Sequence, residues 1–118
     1  MNLPHNHDGK LGNIRSVPNV EEFSKIADVF KLLDDSSRVR IFWLLCHCEQ
    51  CVINISALLQ MSSPAVSHHL RILKAYNLIE SRLEGKEVYY KASNSKDATI
   101  LHKMIEEFVE IKCPHNEI

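Results

Sequence analysis

The stretch Met61–Ala92, MSSPAVSHHLRILKAYNLIESRLEGKEVYYKA, decides the reading of this chain. Ser63-Pro64 opens a helix. A serine hydroxyl can accept from the exposed backbone N–H groups of a first turn, and proline suits the first helical position. Val66, Leu70 and Leu73 recur at i, i+4 and i+7 and bury one side of that helix. Ser67, His68, Arg71 and Lys74 lie on or beside the opposite side. Glu80–Leu83 and Glu87–Lys91 then alternate as two short strands. Between them, Glu84-Gly85-Lys86 forms a turn in which Gly85 can take positive φ.

Upstream, Phe23, Ile26, Ala27, Phe30 and Leu33 recur at helical spacing and predict one buried face between Val20 and Leu33. Asp34 to Ser37 is a polar break in which Asp35 or Ser36 can cap the next helix. Val39 to Leu45 is apolar nearly all round apart from Arg40, which predicts a central helix with Trp43 in the core. Cys46 to Cys51 reads as the loop leaving it. A short helix over about Ile53 to Leu59 turns Ile55, Leu58 and Leu59 inward, and Gln60 to Ser62 is the turn before the decisive helix. Downstream, Asp97 to Lys112 carries Leu101, Met104, Ile105, Phe108 and Ile111 as one apolar stripe. A domain this small needs only part of that stripe for its own core, so the rest predicts a subunit interface.

The element order is therefore mainly α with a small β-hairpin wing: a winged helix-turn-helix, expected as a dimer. Such a fold lays a polar, cationic helix in the major groove and runs the hairpin along the backbone. The expected organisation is a flexible arm over 1–19, a DNA-binding and dimerisation domain over 20–112, and a tail over 113–118. The DNA-facing candidates are Ser63, Ser67, His68, Arg71 and Lys74 on the helix, with Arg82 and Lys86 on the wing. His69 is expected to share the helix's packing role.

Composition agrees with that reading without proving it. The chain has 118 residues, 45% hydrophobic and 25% charged, with a net charge of -1. Between Ser62 and Lys91, five cations (Arg71, Lys74, Arg82, Lys86 and Lys91) face three carboxylates (Glu80, Glu84 and Glu87), whereas from Asp97 onward acidic residues predominate. Positive charge is thus concentrated at the proposed reading head. The first residues, MNLPHNHDGK, contain no apolar signal core, and no apolar run is long enough for a membrane span, so a cytoplasmic protein with no membrane partner is expected.

Three of the four cysteines, Cys46, Cys48 and Cys51, lie within six residues. Clustered thiols in a reducing compartment point to metal binding or redox sensing. Cys48-x-x-Cys51 is spaced so that both sulfurs can turn toward one soft ion, of the zinc, cadmium, lead or copper(I) kind. Further ligands could come from Cys46 or His47 in the same loop, from His5 or His7 on the arm, or from Cys113 or His115 in the tail. His102 reads as an ordinary surface or interface residue.

Taken in order, VFKLLDDSSRVRIFWLL, CVINISALL and SSPAVSHHLRILKAYNLIESRLEGKEVYY resemble the ArsR/SmtB family of metal-responsive winged-helix repressors over roughly Val29 to Ala92. Val66-Ser67-His68 with Leu70, Leu78-Ile79, and Gly85-Lys86 before Val88-Tyr89-Tyr90 are the most specific points. The resemblance implies a homodimer bound to an imperfect inverted repeat in double-stranded operator DNA and released by an effector. It also implies a dimer interface built from the first and last helices, where Leu101, Met104, Ile105 and Phe108 would sit. The family's glutamate-leucine-cysteine-valine-cysteine-aspartate metal motif falls on Glu49-Gln50-Cys51-Val52-Ile53-Asn54, which keeps only the first cysteine. The family's last-helix ligands fall near Asn94, Lys96, Glu107 and Glu110, a poor ligand set.

The expected function is a repressor that releases its operator on binding a zinc-, cadmium- or lead-type ion. One alternative is a thiol-redox or reactive-sulfur sensor on the same fold, since thiol reactivity depends on pKa. A remoter one is a thiol oxidoreductase using Cys48 and Cys51. That motif normally follows a strand, whereas here it follows a buried helix, so an enzyme is not expected.

Overall fold

A computed structural model describes residues 4–5 and 16–112. The chain forms α1 (Val20–Leu32), α2 (Ser36–His47), β1 (Gln50–Cys51), α3 (Val52–Leu59), α4 (Ser63–Ala75), β2 (Ile79–Glu84), β3 (Glu87–Ala92) and α5 (Lys96–Lys112). Among the described residues, no helix is long and apolar enough to cross a membrane.

Side-chain caps set the helix starts. Asn19 Oδ1 accepts from Glu22 N at 2.9 Å before α1, and Asp35 Oδ1 accepts from Ser37 N and Arg38 N before α2. Each cap satisfies backbone donors that a first turn leaves unpaired. The α4 cap is Ser62, whose hydroxyl accepts from Ala65 N at 3.3 Å. The helix therefore starts one residue earlier than Ser63-as-cap predicts, with Ser63 in the first turn. Ser95 Oγ accepts from Ala98 N at the start of α5. Gln60, at φ 56, ends α3 in the left-handed region.

The hairpin closes at Gly85-Lys86, with Gly85 at φ +63 and Glu84 opposite Glu87. The sheet has a third strand that the sequence reading took for loop. Gln50 and Cys51 pair antiparallel with Tyr90 and Tyr89, so the strand order is β1-β3-β2. Two residues are too few to show an alternating pattern. Cys46 and His47 belong to the last turn of α2, and Cys48 is its C-cap.

The core joins Ile41, Phe42 and Leu45 of α2 to Ile55 of α3, Val66, Leu70 and Leu73 of α4, and Leu101 and Ile105 of α5. Three expectations about burial need correction. Trp43 is 39% exposed, because Ile41, Phe42 and Leu45 occupy the inward face of α2. Leu58 is 57% exposed, leaving Ile55 as the buried anchor of α3. On α1, Phe23, Ile26 and Phe30 are exposed in the single chain, and Leu32 is the buried residue. The expected α5 interface stripe also divides: Leu101 and Ile105 are buried within the protomer, Met104 is half-buried, and Phe108 and Ile111 are exposed.

Candidate DNA-reading face and effector region

The two faces of α4 separate cleanly. Val66, His69, Leu70 and Leu73 are buried, Ser67 is half-buried, and Ser63, His68, Arg71 and Lys74 are exposed. Packing of the buried side against α2 and α3 leaves the polar side to solvent. Two of these polar groups are already engaged. Ser63 Oγ lies 3.1 Å from Ser56 Oγ on α3, and Lys74 Nζ donates to Ser81 Oγ on β2 at 2.6 Å. The lysine contact ties the end of α4 to the wing.

His69 carries the main buried polar burden. Its Nε2 lies 3.9 Å from Asp35 Oδ1, and its Nδ1 has no hydrogen-bond partner among the described residues. Burial holds its pKa below the ordinary 6.5, against the opposing pull of Asp35. The Asp35 carboxyl is itself held below its ordinary value, chiefly by the Arg38 backbone N–H.

On the wing, Lys86 is exposed beside the Gly85 turn. Arg82 is differently placed. Its Nε donates to both Glu49 oxygens at 3.0 Å, its second terminal nitrogen donates to Glu49 Oε1 at 2.6 Å, and its first reaches Glu84 Oε2 at 2.8 Å. Its guanidinium also lies 5.0 Å from the Tyr89 ring centroid. The hydrogen bonds to Glu49 and then Glu84 push the Arg82 pKa up, and the one from Arg82 holds the Glu49 carboxyl down. They brace the wing against the segment leaving α2.

That segment holds the cysteines. Cys46 and Cys48 are half-buried and Cys51 is buried. Cys48 Sγ donates to Leu44 O at 3.5 Å and accepts from Gln50 Nε2 at 3.7 Å. Gln50 Oε1 in turn accepts from Asn54 at 3.1 Å. Burial, assisted by the Glu106 carboxylate, pushes the Cys46 thiol up to about 11, so it holds its proton at neutral pH. His5 is exposed, while His7, Cys113 and His115 lie outside the described residues.

Among the described residues, the group of three histidine, cysteine or carboxylate side chains whose ligand atoms all lie within 4.8 Å of one another contains none of these cysteines. It consists of His47, His102 and Glu106. Sequence reading missed this group because His47 on α2 stands 55 residues before His102 and 59 before Glu106 on α5. The only local signal was the i, i+4 spacing of His102 and Glu106, which puts them on one helix face.

Comparison with known proteins agrees with the fold and places it in a lineage. The "Bacterial regulatory protein, arsR family" profile matches residues 35–81. A cadmium resistance transcriptional regulatory protein CadC homolog from Staphylococcus aureus is 32% identical over 98 residues, covering 82% of this chain and 81% of that one. A transcriptional repressor SmtB homolog from Synechocystis is 35% identical over 79 residues, covering 67% of this chain but only 60% of its own length. The structure of a homodimeric winged helix-turn-helix DNA-binding domain from Mycobacterium bovis superposes with a TM-score of 0.69 at 24% identity, covering 89% of this chain and 99% of that one. The Staphylococcus and Synechocystis relatives are transcriptional regulators rather than enzymes. With its two-faced α4, its hairpin wing and a match running through most of the Staphylococcus regulator, the chain belongs to the ArsR/SmtB family of bacterial regulatory proteins.

Proposed function

We propose that this chain is a homodimeric transcriptional repressor that holds an inverted-repeat operator and leaves it when a thiophilic ion of the zinc, cadmium or lead type binds beside α2. The observation that carries the DNA part is the build of α4. Its apolar side is locked into the core while Ser63, His68 and Arg71 stand exposed, with Ser67 at the margin. Ser67, His68 and Arg71 are the groups for base edges and nearby phosphates, and Lys86 is the phosphate contact of the wing. Lys74 and Arg82 flank that surface, each held by a partner within the protein.

Dimer formation is supported by the exposed Phe23, Ile26 and Phe30 on α1 and Phe108 on α5, an apolar face that a second copy would cover. The Mycobacterium relative is described as homodimeric. A two-fold pair would present two copies of α4 to two half-sites.

The effector part is supported by the cadmium-resistance description of the Staphylococcus relative and by the thiols at the end of α2. Cys48 and Cys51 are the proposed ligands, and their donor chemistry suits a soft ion. Cys46, with its proton held tightly, is the weaker candidate of the three. His5 or His7 from the arm, or Cys113 from the tail, would complete the set. A coupling of about 1–3 kcal/mol between ion and operator would lower DNA affinity roughly 5- to 150-fold.

The test is operator binding by Cys48→Ser and Cys51→Ser proteins. Both should bind DNA like the parent in chelator and lose their response to cadmium. If they still release the operator on adding cadmium, the cysteine assignment is wrong.

A further inference from the structure

His47 is the last residue of α2, and His102 and Glu106 stand one turn apart on α5. Glu106 Oε1 lies 2.7 Å from His47 Nε2 and 3.1 Å from His102 Nε2. Both imidazoles therefore present the same nitrogen to the same oxygen, from two different helices. The rings meet edge to face with centroids 5.0 Å apart, and Trp43 backs His47 with its ring centroid 4.5 Å away. The three side chains are between about one-third and one-half exposed, so an ion can enter from solvent. Beside them is a cleft of 360 Å³ whose lining includes both histidines, Cys46, Cys48 and Thr99.

We infer that His47, His102 and Glu106 form a second divalent-ion site, of the zinc, cobalt or nickel type, that pins the end of α2 to α5 within one protomer. Two imidazole nitrogens and a carboxylate oxygen are borderline donors that suit these ions better than they suit lead or copper(I). In a tetrahedral zinc site, ligands at roughly 2.0–2.1 Å from the ion stand about 3.3 Å from one another. The two observed separations fall short of that by a few tenths of an ångström, so small side-chain rotations would open the site. Each imidazole would bind through Nε2 and carry its proton on Nδ1. A fourth position would be left for water.

The site goes beyond the cysteine reading and does not depend on it. None of its three ligands is a thiol, and it lies within one chain. Its consequence for DNA would run through connectivity. The end of α2 leads through Cys48 and β1 into α3 and α4, while α5 is the proposed dimer helix. An ion here would fix the reading head relative to the dimer axis.

The test uses reduced, full-length protein and cobalt(II). A chain carrying Cys46→Ser, Cys48→Ser, Cys51→Ser and Cys113→Ser should still bind one cobalt ion per protomer. Its visible absorption should show d–d bands without sulfur charge transfer. Adding His102→Gln or Glu106→Gln should weaken that binding at least tenfold. Absence of cobalt binding by the folded cysteine-free chain, or undiminished binding after His102→Gln, overturns the inference. Because the serine substitutions include buried Cys51, zinc titration of the otherwise unaltered chain by NMR provides a second readout. The His47 and His102 imidazole resonances should shift together in one zinc-binding step, separate from any step at the cysteines, and a His102 resonance unmoved at saturating zinc overturns the inference as well. Neither readout involves operator DNA, so failure of this site and failure of the repressor reading are separable.

Discussion

Arg82 on the wing grips Glu49, which follows the C-cap of α2, through three hydrogen bonds of 2.6 to 3.0 Å. A cation already shared between Glu49 and Glu84 adds little attraction for phosphate. Lys86, the proposed phosphate contact, is exposed at the hairpin turn and should have the larger effect. Lys86→Gln should therefore weaken binding to all DNA sequences alike and reduce the slope of log affinity against log salt by about 1. Arg82→Gln should reduce it by distinctly less. Anisotropy titrations across a salt series check this, and equal slopes for the two variants would contradict it. The Arg82–Glu49 pair is exposed on its arginine side and screened by water, so its loss should cost little stability.

Arg71 should act on sequence rather than on charge alone. It is exposed one turn beyond Ser67 and His68 on the polar side of α4. Arg71→Ala should cost about 1–3 kcal/mol on the operator and relax the preference at one base position in each half-site. Binding to a library of operators substituted one position at a time measures it. A uniform loss across the library would make Arg71 a phosphate contact instead.

The two kinds of apolar residue on α5 should separate in mutation. Phe108 is exposed in the single chain and Leu101 is buried at 4%. Phe108→Asp should give a folded monomer in sedimentation, with operator affinity greatly reduced because the half-sites are no longer held together. Leu101→Ala should instead destabilise the protomer by about 2–5 kcal/mol through lost burial and the cavity left behind. A Phe108→Asp protein that stays dimeric would place the interface elsewhere.

Much of this was legible in the chain, for identifiable reasons. The α4 start and the hairpin were readable because Ser62-Ser63-Pro64 and Gly85 are strong local signals. Apolar spacing on α1 and α5 revealed faces but could not say whether the cover comes from the same chain. Phe23, Ile26 and Phe30 therefore read as one buried face, yet the single chain leaves them exposed. Because α2 is apolar nearly all round, its period does not mark one side, and Trp43 stands outside the core. The Glu49–Arg82 clamp and the His47–His102–Glu106 group join residues distant in sequence, and tertiary packing alone brings such pairs together.

Buried His69 gives a pH signature. Burial lowers its folded pKa below 6.5, so between those two values the unfolded chain binds a proton that the folded chain lacks. Stability from this residue is present above about pH 6.5 and is lost as pH falls through that value toward the folded pKa. Asp35, also lowered, acts in a separate and more acidic window below 3.8. Thermal melts from about pH 7 to pH 5 should show a steeper loss for the parent than for His69→Gln. Identical pH slopes would contradict the assignment.

The most direct test of the central claim is operator binding by fluorescence anisotropy, using fully reduced protein and promoter DNA from its own locus, before and after adding cadmium or zinc. The account predicts tight, salt-sensitive binding that the ion weakens roughly 5- to 150-fold and a chelator restores. Tight binding that is indifferent to both ions would contradict metal release, and the same titration with oxidant or polysulfide would then become the deciding one.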